Sequence, residues 1–110
     1  MQNERSTEKT LRALGLCAKA RRLICGTPMI CDALRGAKKP FLVISASDNA
    51  DNTSKKLTDK CAFYETRLVT IDASGEILAA AVGKTGVLAS VAVTDGNLAE
   101  LVKKSLGDEE

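Results

Sequence analysis

Apolar positions along this chain follow helical and extended rhythms in turn. Leu11, Leu14, Cys17, Ala18 and Ala20 recur at helical spacing, which predicts a first helix over about residues 7–20, with Ser6 able to cap its start. Its other face carries Arg12 and Lys19, and Arg21 and Arg22 follow just beyond it. Leu23-Ile24-Cys25 then reads as a brief strand. Gly26-Thr27-Pro28 is a helix-start signal: Gly permits a tight turn, Thr27 can cap free amides, and Pro28 sits where its missing N–H is harmless. A second helix is expected to turn Met29, Ile30, Ala33 and Leu34 inward and to stop at Gly36.

After the exit loop Lys38-Lys39-Pro40, the continuous apolar run from Phe41 to Ala46 has the signature of a central strand covered on both faces. The polar loop from Ser47 to Asn52 is rich in capping residues, and Leu57, Cys61 and Tyr64 mark a third helix. Arg67 to Ile71 reads as a third strand. A fourth helix is predicted from near Ser74 through Ile77, Leu78, Ala81 and Val82 to Gly83, and a fourth strand from Val87 to Val93. Asp95 should cap a last helix carrying Leu98, Leu101, Val102 and Leu106, with Gly107-Asp108-Glu109-Glu110 as a frayed acidic tail. Short strands alternating with helices give an α/β fold, a three-layer α/β/α sandwich with a four-stranded mixed sheet and about five helices. The 110 residues are expected to form one domain, 1–110.

Composition narrows the class. Only three aromatic residues are present, so the core must be built from Ala, Val, Leu and Ile. Met1 to Thr10 is polar and mixed in charge, unlike a signal or transit peptide, and no apolar run approaches membrane-spanning length. Cys17, Cys25, Cys31 and Cys61 include no close pair of the kind that a zinc site or redox dithiol uses. They read as buried free thiols, and a cytoplasmic location follows. Net charge is only +2, yet residues 1–60 hold 12 Lys/Arg against 6 Asp/Glu while residues 61–110 hold 4 against 8. Such asymmetry can turn a basic surface to a polyanion, or it can be no more than a solvated face.

Several chemistries are absent. With no histidine, neither a His-based triad nor a His-ligated metal site can be assembled. Gly83-Lys84-Thr85 looks like the end of a phosphate-binding loop, but Leu78 stands where that motif needs its first Gly, and the order of helix and strand is inverted. Asp48, Asn49, Asp51 and Asn52 resemble a calcium loop in composition, but Thr53 occupies the position of its obligatory Gly, so helix capping is the better reading. Cys25, before Gly26, is the best placed thiol nucleophile, without a histidine to activate it. No enzymatic constellation and no cofactor is expected.

Four segments carry a resemblance that spans almost the whole chain: Leu14 to Ala20 running into Leu23-Ile24-Cys25-Gly26, Phe41 to Asp48, Asn52 to Cys61, and Leu78 to Lys84 followed by Ala89 to Val93. They are similar to the ribosomal protein L-seven-Ae and L-thirty-e family, in its bacterial YlxQ-like branch; the Asn52–Cys61 segment is the most specific. The resemblance implies an α/β/α sandwich that binds kinked, kink-turn-like RNA without catalysis, associated with the ribosome or other structured RNA; a monomer is expected. It assigns the groove contact to the turn and first helical residues Gly26, Thr27, Pro28, Met29 and Asp32. The loop Lys84, Gly86, Val87, Leu88 and Ala89 would pack against outward-flipped bases, and Lys19, Arg21, Arg22, Lys55 and Lys56 would flank both. A helix N-terminus offers free amides and partial positive charge to phosphate, and Val87 and Leu88 offer apolar surface to an extruded base.

The turn also departs from the family. Its strongest RNA binders continue Gly-x-Asn-Glu with a basic residue three positions on; this chain has Gly26-Thr27-Pro28-Met29 and Asp32. Losing two base-edge contacts forfeits ~2 to 6 kcal/mol. Two readings therefore stand: an RNA-binding protein that recognises kinked RNA through amides, phosphates and shape, and a protein-interaction module of the same fold in which Met29 and Leu88 form an exposed apolar patch.

Overall fold

The computed structural model describes residues 4–107, so the acidic tail beyond Gly107 lies outside the described residues. Five helices and four strands follow one another as α1 (Glu4–Lys19), β1 (Leu23–Cys25), α2 (Thr27–Arg35), β2 (Leu42–Ser45), α3 (Asp51–Phe63), β3 (Leu68–Thr70), α4 (Gly75–Ala81), β4 (Ser90–Val93) and α5 (Gly96–Ser105). The strands form one mixed sheet in the order β1-β4-β2-β3, with β4 antiparallel to both β1 and β2 and β3 parallel to β2. The expected α/β fold and four-stranded mixed sheet are present.

Alternation along the strands builds two cores. Leu42 and Ile44 of β2 and Val91 and Val93 of β4 face one side, where Leu14, Cys17, Leu78, Ala99 and Val102 bring α1, α4 and α5 down on them. Val43 and Ala92 face the other, under Ile30 and Leu34 of α2 and Leu57 and Cys61 of α3. Every residue of β2 and β4 is buried, as strands covered on both faces require.

Local signals held where their partners are local. Asp95 Oδ2 accepts from the Leu98 amide, the expected cap of α5, and Ser74 Oγ accepts from the Ile77 amide, capping α4 at its expected start. Other expectations are corrected. Helix α1 reaches back to Glu4, so Ser6 lies inside it rather than capping it. Met29, expected to face inward, is 60% exposed, and Ile77 and Leu101, which mark the apolar spacing of α4 and α5, are 51% and 42% exposed. The fourth strand begins only at Ser90, leaving Val87, Leu88 and Ala89 in the preceding loop.

Cys17, Cys31 and Cys61 are buried and free; Cys25 is half-buried rather than buried. Burial pushes the Cys61 thiol up to about 11, with Cys31 nearby adding to the rise. Because the unfolded thiol ionises near 9 and the folded one near 11, this group leaves stability unchanged below about pH 9 and withdraws it as pH rises toward 11. Denaturation midpoints measured between pH 8 and 11 should fall less steeply for Cys61→Ala than for the parent chain.

Candidate nucleic-acid interface

Sheet register draws three loops to one edge. Because β4 runs against both its neighbours, with Val91 opposite Cys25 and Ser90 opposite Ser45, the end of β1, the end of β2 and the start of β4 meet. The Gly26 amide donates to the Ser90 carbonyl at 3.0 Å, and the Ala46 amide to the Ala89 carbonyl at 2.9 Å. Between them opens a groove of about 500 Å³, lined by the turn residues Gly26, Thr27 and Pro28, by Asn52, Thr53 and Lys56 of α3, and by the loop residues Val87, Leu88 and Ala89.

Each wall has a physical reason for its place. Gly26 has φ 97° and ψ 139°, a conformation that a side chain disfavours, and this lets β1 turn directly into α2. The Gly26 carbonyl accepts from the Ile30 amide and opens the helix. Thr27 does not cap α2, contrary to expectation: its hydroxyl pairs at 2.9 Å with that of buried Ser90, tying the turn to β4. No side chain caps the first turn of α2 or of α3, whereas α4 and α5 are both capped. Of these four helix starts, the two that lack a side-chain cap are the two that border the groove.

The loop from Ser47 to Asn52 holds the third wall, and its polar residues act over longer range than expected. Asn49 Nδ2 donates to the Ala89 carbonyl at 3.0 Å and to Ser45 Oγ at 2.9 Å, fixing the base of the 84–89 loop against β2. Asp48 Oδ1 accepts from the Gly75 amide at 2.9 Å, so it serves the start of α4 and not that of its own helix. Gly75 is buried beneath the loop. A Cβ there would stand 2.5 Å from Val87 Cγ1 and 2.9 Å from the Leu88 carbonyl oxygen, and the Gly75 carbonyl already accepts from the Leu88 amide. The result exposes Val87, at 72%, while Leu88 tucks against the core beneath α4.

Cations expected at this site divide into two sets. Lys56 lines the groove. Lys84 lies close enough to Cys25 for its charge to oppose the rise that burial imposes on that thiol. Lys19 sits across from Gly83 in a shallow depression between α1 and α4, beside the same loop. Arg21 and Arg22 do not join the groove: they precede β1 at its far end, where the Arg22 carbonyl accepts from Thr94, about 13 Å of extended chain from Gly26. Lys55 is exposed and pairs with Asp59 at 3.3 Å. Asp32, which stands where the family's strong binders carry a cation, is paired with Arg35, so its charge is offset locally. Gly86 and Met29 are exposed near the rim.

Asn52 and Thr53 line the groove although sequence reasoning gave them no contact role, and Asn49, Asp48 and Gly75 were missed as its supports. The site brings together two helix starts, the Lys56 ammonium group and the exposed apolar side chain of Val87. Burial holds the Cys25 thiol above its ordinary value, so it is not an activated nucleophile. No group of three metal-ligating side chains occurs among the described residues.

Sequence comparison finds the RNA-binding protein YlxQ of Bacillus subtilis (strain 168) to be 35% identical over 86 residues, covering 78% of this chain and 83% of that protein. The protein of the same name from Enterococcus faecium is 32% identical over 75 residues, covering 68% and 72%. Among solved structures, a Bacillus halodurans protein of unknown function superposes with a TM-score of 0.81 at 30% identity, over 90% of this chain and 97% of its own. The Giardia lamblia 15.5kD RNA binding protein superposes at 0.79 over 97% and 89%, and at 21% identity it speaks for the fold alone. No family model matches the chain.

The supports of the loop give a direct test of this geometry. Gly75→Ala should cost about 1–3 kcal/mol in stability by overpacking against Val87 and Leu88, measured by chemical denaturation, and should shift the amide resonances of residues 86–89.

Proposed function

Because this chain belongs to the YlxQ family of RNA-binding proteins, we propose that it binds structured, kinked RNA in the groove between the Gly26 turn, the start of α3 and the 84–89 loop. The observation that carries this reading is the convergence of two uncapped helix starts and an exposed apolar loop on one open groove. Phosphates take the amides of the first turn of α2 and the ammonium groups of Lys56 and Lys84. An extruded base lies against Val87, with Asn52 and Thr53 able to hydrogen-bond its edge. The binding unit is one domain spanning 1–110, acting in the cytoplasm as a monomer on ribosomal or other kink-turn-containing RNA, without catalysis. No described helix is long and apolar enough to cross a membrane.

Pro28 and Met29 supply no polar side chains for base pairs at the kink, so recognition rests on shape, phosphates and the extruded base. Lys19 extends the cationic flank of the loop; Arg21, Arg22 and Lys55 contribute only at longer range. The exposed Met29 and Val87 favour a second reading, a protein-interaction module that has lost RNA affinity.

Titration of a labelled kink-turn RNA and of a straight duplex of equal length, across a range of salt, separates the two. The RNA reading expects preference for the kinked RNA and affinity that falls with salt. Lys56→Ala and Lys84→Ala should each lower the salt slope by about 1 and leave the melting temperature unchanged, with a smaller effect for Arg22→Ala. Negligible binding of both RNAs would favour the protein-interaction module.

A further inference from the structure

The face of α3 that borders the groove continues beyond it. Asn52 and Lys56 are followed at the same helical spacing by Lys60 and Phe63, so the four share one stripe, turned away from Leu57 and Cys61, which pack on the sheet. From Asn52 to Phe63 the stripe runs about 16 Å. It ends on the most exposed large apolar side chain among the described residues, Phe63, at 76%. Tyr64 meets the Phe63 ring edge-on, with centroids 4.8 Å apart, and the Lys39 ammonium stands 5.4 Å from the Tyr64 ring centroid. Lys39, Lys56 and Lys60 make no ion pair among the described residues, while Asp59 beside the stripe is engaged by Lys55.

An aromatic ring this exposed buries little apolar surface in the fold, and cations without ion pairs leading to it from a groove match one kind of ligand. Single-stranded nucleic acid presents a π-face from every base and a phosphate between each pair of bases. We infer that the stripe is a second RNA contact, a track for single-stranded nucleotides that flank the kinked element. Their phosphates run past Lys56 and Lys60, and one base stacks on Phe63. The inference rests on the groove being the seat of RNA. It adds to that reading a ligand feature, an unpaired flank, that the groove alone does not require.

The test uses two RNAs, one ending at the kinked element and one bearing a short single-stranded extension, prepared at either end in turn. The extension should tighten binding by the parent chain roughly 5-fold to 100-fold, and Phe63→Ala should abolish that gain without changing affinity for the unextended RNA or the melting temperature. Phe63→Trp creates the only tryptophan in the chain. Its fluorescence should be quenched by the extended RNA and not by the unextended one. Equal affinity of the parent chain for both RNAs, or equal weakening of both by Phe63→Ala, would overturn the stripe while leaving the groove intact. Binding of neither RNA would overturn the groove and the stripe together.

Discussion

The insertion of β4 between β1 and β2 is the constraint on which the rest of the molecule depends. This last strand pairs antiparallel with both neighbours and is buried on both faces. Its Val91 and Val93 complete the core beneath α1, α4 and α5, and its Ala92 completes the one beneath α2 and α3. The same register that fills the cores sets Ala89 and Ser90 between the ends of β1 and β2. A shift by one residue would exchange the two faces of β4 and carry the 84–89 loop away from Gly26. Core packing and groove geometry are thus consequences of one set of backbone pairings.

On that frame, polar side chains act as braces. Asn49 fixes the loop base, Asp48 the start of α4, and the Thr27–Ser90 hydroxyl pair the turn before α2. With these side chains engaged elsewhere, the first turns of α2 and α3, which border the groove, keep no side-chain cap. A site built from fixed amides and fixed loops is preorganised for a ligand of defined shape.

What the sequence revealed follows the range of each interaction. Asp95 was legible as a cap, and Ser74 as a helix start, because each bonds an amide three residues on. Asp48, Asn49 and Thr27 were misread as caps of their own helices because their partners lie 27, 40 and 63 residues away, at positions that only the sheet register determines. Arg21 and Arg22 stand close to Gly26 in sequence, yet the extended β1 carries them to the opposite end of the strand. Lys84 is remote in sequence and comes close to Cys25. Residues 87 to 89 have the apolar content of a strand, but their amides and carbonyls serve Gly75, Asn49 and Ala46 before β4 begins. The apolar run therefore marked the element and overestimated its length.

The central claim is that the groove at this sheet edge is where RNA is held. Amide chemical-shift mapping of the labelled protein during titration with a kink-turn RNA tests it most directly. The account predicts the largest perturbations at Gly26, Thr27, Met29, residues 52–56 and residues 86–89, with α5 and the part of α1 before Lys19 unaffected. Perturbations centred on α1 and α5, or scattered evenly over the surface, would contradict it.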